Sequence, residues 1–598
     1  MSRNIFRYST VIASLLATAL FAGCGSSNKE GSASSLANVA KVDEASCRVC
    51  HSTSVEPVTG DNILQDYLGS IHNLNTFHKV GCQDCHGGGA QHNGVGPIPY
   101  TNPDASGKCF ECHQKYLPKA HFAVYTAATH PAQYVSSLYQ NSCTSCHDPH
   151  KADKGITPQH GEWAESAHGD VNGAAWMDED FKENTGCIRC HTATGYKNYI
   201  TSGWKLATTT FATAGDKTYQ VLTCDACHSN YNFKNSVRAA KQYVAPYNSG
   251  KSPATFPDVG NSNICISCHS GRESGATVLA VTDTAISNTS FKNPHYLAAA
   301  ATMYAKGGFT AFVDDPANTL SGTVGKDTSG VTREFKYTES LTTTEDGGQL
   351  GSTHRKFGTS AIIGDHGITS GDTNMTTSGP CIVCHLNKGG ANGAAHTLKI
   401  DIYAGDQVCK KCHAAEITTD GTTATNTDAT KLATFLEEQH AILGEAIGLA
   451  SKILKDTYKI TFNPDAYPYF YDDQLGLDAS GKPQAVKDWT RSKVLSTALS
   501  AKDAKRLMGA CFNIQLLTKD EASYAHARTY SRRLAYDTID FLDNNAMDRS
   551  VSVTATTLQP TIFVKGTSAD TATGTTDAML FLLGYDRKAK TWNSPERP

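Results

Sequence analysis

Cys47-Arg48-Val49-Cys50-His51 is the stretch that decides how this chain is built. Two cysteines stand three positions apart, with a histidine directly after the second. The phrase returns with Cys82, Cys85 and His86, with Cys109, Cys112 and His113, with Cys143, Cys146 and His147, and with Cys187, Cys190 and His191. It returns again with Cys224, Cys227 and His228, with Cys265, Cys268 and His269, with Cys381, Cys384 and His385, and with Cys409, Cys412 and His413. All nine copies carry the histidine, and of the 20 cysteines only Cys24 and Cys511 fall outside them. C-x-x-C-H is the attachment phrase of c-type haem. The two thiols add across the porphyrin vinyl groups as thioethers, and the histidine is held under the iron as its proximal ligand. A zinc array needs paired C-x-x-C units and has no reason to put histidine after every second cysteine. A disulfide framework has no use for the histidine at all. The reading is therefore nine covalently bound haem c groups, with His51, His86, His113, His147, His191, His228, His269, His385 and His413 as proximal ligands.

Composition agrees with a chain that wraps large apolar cofactors. Only 39% of the 598 residues are hydrophobic, and 50 are glycine. Length alone suggests several ordinary domains, but porphyrins take the place of much of an ordinary core. The formal charge of −4 gives no basis for binding nucleic acid. The predicted fold class is a multihaem cytochrome c. It is mostly irregular, with short α-helices around stacked haems, a helical C-terminal module and little β-structure.

The N-terminus reads as an address. Arg3 and Arg7 precede an apolar run, Val11 to Ala22, that is too short to span a bilayer. It ends Leu20-Phe21-Ala22-Gly23-Cys24, followed by Gly25-Ser26-Ser27, in the manner of a bacterial lipobox, although Phe21 stands where Leu is commoner. On this reading residues 1–23 are a lipoprotein signal peptide and Cys24 is the lipidation site. The alternative is ordinary secretory cleavage beside an odd thiol. Gly25 is not the Asp that commonly retains lipoproteins on the inner membrane, so a lipid-anchored protein of the outer membrane, facing the exterior, is expected. Haem attachment outside the cytoplasm agrees with export.

The remaining segments are set by motif spacing. Residues 24–45 are a flexible tether rich in Ser, Gly and Ala. Residues 46–150 carry haems 1–4 and residues 151–275 carry haems 5–7. Residues 276–375 form a haem-poor insert, in which Thr310 to Gly351 reads as either a β-hairpin or an exposed loop. Residues 376–415 carry haems 8 and 9. Residues 416–598 form the helical module without attachment phrases. There Leu432, Leu436, Leu443, Ile447, Ala450 and Leu454 share one helical face. Further helices are predicted from about Lys502 to Leu517 and from about Asp520 to Leu542. Cys511 reads as a buried thiol without chemistry.

The opposite face of each iron decides between wire and enzyme. A second histidine closes the iron and suits electron transfer, whereas an open face can bind substrate. Of 23 histidines nine are proximal, so enough remain for bis-histidine ligation throughout, and seven methionines are too few for a general Met solution. The distal candidates of first rank are His72, His92, His121, His130, His150, His168, His295, His366 and His396. His92 follows a Gly-Gly-Gly run that lets backbone approach a porphyrin. His150 is too close to Cys146 and His147 to reach its own iron, so it is expected to serve a neighbouring one. His78, His160, His354, His440 and His526 stand in second rank. His440 lies on the apolar helical face and reads as a buried structural histidine, and His526 can reach a haem if its helix docks on the cofactor region. Arg272 is a propionate partner or a solvated surface residue.

With these residues placed, the sequence resembles the outer-surface multihaem c-type cytochrome lipoproteins of metal-reducing bacteria, of the porin–cytochrome conduit type. The matching pieces are the leader from Met1-Ser2-Arg3 through Cys24-Gly25-Ser26, Cys85-His86-Gly87-Gly88-Gly89 to Gly96-Pro97-Ile98-Pro99, and Cys268-His269-Ser270-Gly271-Arg272-Glu273. Others are Asn293-Pro294-His295-Tyr296, Tyr467-Pro468-Tyr469-Phe470, Tyr524-Ala525-His526 and Arg533-Leu534-Ala535-Tyr536-Asp537-Thr538-Ile539-Asp540. The resemblance implies electron transfer to external acceptors such as Fe(III) oxides. The partners it implies are an outer-membrane porin, a periplasmic multihaem cytochrome, and other outer-surface cytochromes or a mineral surface. An electron-transfer protein is expected rather than a substrate-specific enzyme. Two alternatives stand beside it: a multihaem reductase of nitrite, hydroxylamine or a sulfur oxyanion with one open haem, and a subunit of a cytochrome filament.

Overall fold

The structure is a computed structural model. It describes residues 39–76, 79–92, 98–116, 143–145, 147–151, 157–170, 181, 185–205, 221–233, 236–313, 322–326, 332–335, 353–358, 378–387, 395–567, 572–586, 591–592 and 597–598. The leader, Cys24, the tether up to residue 38, His78, His121, His130, Cys146 and His366 lie outside the described residues, as does the side chain of His160. Among the described residues no helix is long and apolar enough to cross a membrane.

Each attachment phrase builds its own short helical element. Residues at i, i+3 and i+4 of a helix share one face, so one turn points both thiols and the histidine the same way. The elements are Glu44–Cys50, Cys82–His86, Lys108–Tyr116, the 3-10 turn Cys143–Ser145, Thr185–His191, Cys224–Cys227, Asn263–His269 and Pro380–His385. The ninth phrase straddles a π-turn, Gly405–Cys409, and the helix Lys410–Ile417. Among the described residues β-structure is limited to two-stranded antiparallel pairs and isolated bridges. One of them, Gly322–Lys326 with Thr332–Phe335, makes a hairpin of the stretch whose sequence leaves hairpin and loop equally open.

The chain divides into two compact units. The first comprises residues 1–161, 168–194 and 209–237 and holds attachment sites 1–6. Side chains next to the motifs tie one site to the next. Glu44, in the first attachment helix, accepts a hydrogen bond from the backbone N–H of Cys82 at 2.5 Å. Asp104 accepts from both the backbone N–H and the hydroxyl of Thr144, each at 2.8 Å. The glycine run after site 2 is crowded by protein backbone. A Cβ at Gly88 would run into the carbonyl oxygens of Val39 and Ala40, and Gly87, at φ +82°, lies against Pro99.

The second unit comprises residues 162–167, 195–208 and 238–598 and holds sites 7–9. Its core is built on three helices, Ala429–Tyr458, Ala501–Lys519 and Ser523–Asn544. Asp428 caps the first, accepting from the N–H groups of Thr430 and Lys431, and Lys459 ends it in the left-handed region at φ +54°. The second is buried around its whole girth from Leu507 to Leu517, so its polar residues need internal partners. Asn513 finds them: it accepts from the Phe309 N–H at 2.8 Å and donates to the Phe309 carbonyl at 2.9 Å and to Thr538 at 3.1 Å. Gly509 is the seat of the Phe309 ring. Val278, Phe309 and Phe312 thus belong to the same core as the C-terminal helices. Arg491 is 1% exposed and grips Asp472 with two hydrogen bonds of 2.6 and 3.1 Å while donating to the Tyr458 carbonyl at 3.0 Å. Cys511 is fully buried, and burial holds its thiol well above the usual range.

One side chain differs from its sequence reading. His440 is exposed, because the long helix turns its buried stripe to Leu443, Ala446, Leu449 and Ala450 and leaves residue 440 off that stripe. Arg272 is exposed, in keeping with the surface alternative of its sequence reading.

Candidate haem sites

A thiol that is to meet a porphyrin vinyl group has to lie at the surface of the polypeptide, not inside its apolar core. The attachment cysteines among the described residues do so. Cys50, Cys112 and Cys412 are exposed, while Cys190, like its motif partner Cys187, is half-buried on the helix Thr185–His191. Cys112 sits on the helix Lys108–Tyr116, one turn after Cys109, which is itself half-buried. The contrast is with Cys511, which is outside the motifs and inside the core.

An attachment-motif imidazole can bind iron only if it is neutral and has a free nitrogen of fixed direction. Three of the motif histidines meet that need in the same way. The Nδ1–H group of His86 donates to the Tyr100 carbonyl, that of His269 to Leu297 and that of His385 to Leu398, each at 2.9 Å. Nε2 is thereby left as the lone-pair nitrogen, and the ring is oriented from behind. Burial lowers the pKa of all three and keeps them uncharged. At site 1 the hydroxyl of Ser54 lies 3.0 Å from His51 Nδ1. Phe181 stacks on the His191 ring with centroids 4.1 Å apart.

Second imidazoles face five of the motif histidines. The ring centroids are 6.1 Å apart for His51–His92, 6.3 Å for His86–His150 and 5.9 Å for His113–His72. They are 6.4 Å apart both for His385–His526 and for His413–His354. Two metal–imidazole bonds of about 2.0 Å in line, plus roughly 1.1 Å from each centroid to its nitrogen, put trans imidazoles about 6.2 Å apart. Every pair joins one motif histidine to one outside the motifs. The interplanar angles run from 5° to 79°, as free rotation about a shared iron–nitrogen axis allows.

Three of the five non-motif rings are also held from behind. His72 Nδ1 donates to the Pro149 carbonyl at 3.2 Å and His354 Nδ1 to Ala525 at 2.6 Å. Burial lowers both, His354 to about 4. His526 differs, since its Nδ1 donates to the carboxylate of Asp520 at 2.7 Å. Burial works against its charge, but Asp520 prevails and the pKa is raised. His150 Nδ1 is 3.6 Å from Glu56 and 4.0 Å from Asp148, too far for hydrogen bonds.

Both second-unit partners depend on one irregular segment. Helix Ser523–Asn544 is broken at Ala527, at φ −157° and ψ 78°. Just before the break, Ala525 offers its carbonyl to His354 and His526 faces His385. A region without attachment phrases thus reaches into sites 8 and 9. His354 and His526 stand in second rank in the sequence because nothing local marks them. The first-rank His168 follows the helix Thr157–Glu165, in a turn. His295 sits at φ +76° with its ring against Tyr296, and the backbone N–H of His396 donates to Glu162 at 3.0 Å. These three are not members of the five pairs.

Neighbouring motifs touch through their cysteines. Cys109 and Cys143 lie together beside Asp104, within 4.8 Å of one another, a grouping of metal-ligand type. Both thiols belong to attachment phrases, so the grouping marks the contact of sites 3 and 4. Cys381 is in hydrogen-bond contact with Cys265, and Cys384 is within electrostatic reach of Cys409. Sites 7, 8 and 9 therefore follow one another in space as in sequence.

Short attachment helices on a largely irregular chain, with imidazoles facing across the width of an iron, define a multihaem c-type cytochrome whose cofactor is covalently bound haem c. Electron transfer is the work of that class. Over 96% of this chain and 100% of the relative, the sequence is 26% identical to the C-type polyheme cytochrome OmcB of Geobacter sulfurreducens, in strains DL-1/KN400 and PCA alike. Over 92% of the chain it is 24% identical to C-type polyheme cytochrome OmcC of the same species, covering 96% of that protein. The OmcB alignment runs to 822 positions against 598 residues here, so that relative carries segments this chain lacks. No protein-family profile matches the chain, and no solved structure is similar to it.

Proposed function

We propose that the chain carries nine haem c groups and passes electrons across or beyond the outer membrane to extracellular acceptors such as Fe(III) oxides. On this reading Cys24 is the lipid anchor, and a porin and a periplasmic multihaem cytochrome are its partners. The observation that carries the proposal is the set of five facing histidine pairs. Haem supplies a one-electron iron couple, and imidazoles on both faces leave that iron no place for substrate. The protein's own part is to orient each ring through its Nδ1–H bond, to bury it, and to set neighbouring attachment helices against one another. Likeness to polyheme cytochromes over nearly the whole chain supports the same reading.

Iron and haem are counted on mature protein purified from outer membranes, and its electron paramagnetic resonance spectrum is recorded. Nine irons per chain, all low-spin, are expected. Iron far below nine, or a stoichiometric high-spin ferric signal, refutes the proposal. Protease treatment of whole cells reads the orientation, and detergent copurification reads the porin.

A further inference from the structure

We propose that Asp520 lowers the reduction potential of site 8, the middle one of the three consecutive sites 7, 8 and 9. Five imidazoles, His72, His86, His269, His354 and His385, direct Nδ1 at a neutral main-chain carbonyl. His526 directs it at a carboxylate, 2.7 Å away. Asp520 is 2% exposed, and its second carboxylate oxygen is buried without a hydrogen bond among the described residues. That oxygen is therefore not shared with a second donor among the described residues. A carboxylate draws the Nδ1 proton more strongly than a carbonyl does, and the ring gains imidazolate character. Such a ligand donates more strongly and favours ferric over ferrous iron, which lowers the reduction potential. The low local dielectric enlarges the effect.

Placement gives the effect a consequence. Cys381 touches Cys265 and Cys384 lies near Cys409, so site 8 stands between its neighbours. An electron moving along this row meets a middle position whose potential the Asp520 carboxylate lowers. Asp520 is thus a positioning and tuning residue that acts through His526. The inference rests on the electron-transfer reading above and on the His385–His526 pair, but not on the identity of the acceptor.

The test uses haem-loaded protein, wild type against Asp520→Asn and Asp520→Glu, with spectroelectrochemical titration and electron paramagnetic resonance. Asn keeps a neutral acceptor for Nδ1–H and removes the charge. One redox wave should move to higher potential in Asp520→Asn, with the g-values of one low-spin haem shifted, while Asp520→Glu stays close to wild type. Unmoved waves in Asp520→Asn with its low-spin signals intact overturn the proposal. Should Asp520→Asn lose low-spin haem, Asp520→Glu decides. A restored spin state with the low wave in place supports the assignment, and a restored spin state with that wave raised overturns it. A high-spin signal already present in wild type refutes the parent reading instead.

Discussion

Removing the His526 imidazole is the sharpest test of how the helical region serves the haems. The His385 and His526 centroids are 6.4 Å apart. Subtracting roughly 1.1 Å at each ring leaves about 4 Å between nitrogens, which is two bonds of about 2 Å. In His526→Ala nothing spans that gap. The exposed His440 is a control, since it lies on another helix with its ring in solvent. With the nine haems proposed, one iron in nine should become five-coordinate, so about one-ninth of the ferric haem turns high-spin and binds added cyanide. His354→Ala should do the same at site 9, and the double variant should give twice the signal. The haem count stays unchanged, because both cysteines and the motif histidine of each site remain. His440→Ala should give no high-spin haem. A fully low-spin spectrum in His526→Ala refutes the pairing, and high-spin haem in His440→Ala refutes the reasoning from exposure.

Two further outcomes concern the scaffold. Asp472→Asn leaves the Arg491 guanidinium buried without its counter-charge and should cost about 3–5 kcal/mol, read as a lower denaturant midpoint for the second unit. Asp540 is 1% exposed, and burial raises its carboxyl from 3.8 to about 7, with Asp537 and Asp543 adding to the rise against the Ser550 N–H bond. Between those values the folded form holds a proton that the unfolded chain has lost, so stability falls as pH rises from 4 to 7, by at most about 4 kcal/mol. Thermal melts at about pH 5 and about pH 8 should differ in the wild type and converge in Asp540→Asn.

What can be read from the sequence follows the range of the chemistry. Thioether attachment and proximal ligation need five consecutive residues, so sites such as that of Cys82, Cys85 and His86 and their short helices are legible as text. The three long C-terminal helices are legible too, because their apolar residues recur at helical spacing over many turns. Helix Ala501–Lys519 begins within a residue of its predicted start and ends within two of its predicted end. Distal partners are not legible to the same degree, since they are chosen by packing between distant segments. His72 precedes its partner His113, His92 crosses from the loop after site 2 to His51, and His526 comes from a helix with no motif. The break at Ala527, which turns His526 toward site 8, has no sequence signal, as alanine is the best helix former. The glycine run before His92 suggests room for a porphyrin, while at Gly88 the crowding group is the carbonyl pair of Val39 and Ala40.

The segment Ala525-His526 also imposes an order on assembly. A chain exported from its N-terminus presents Cys381, Cys384, Cys409 and Cys412 to the haem-attachment machinery long before residue 526 arrives. The facing histidine of site 8, His526, is therefore made after its attachment phrase, whereas that of site 9, His354, is made before Cys409. Docking of the two-residue segment brings His526 to site 8 and the Ala525 carbonyl to His354 at site 9, so a single latch serves both sites.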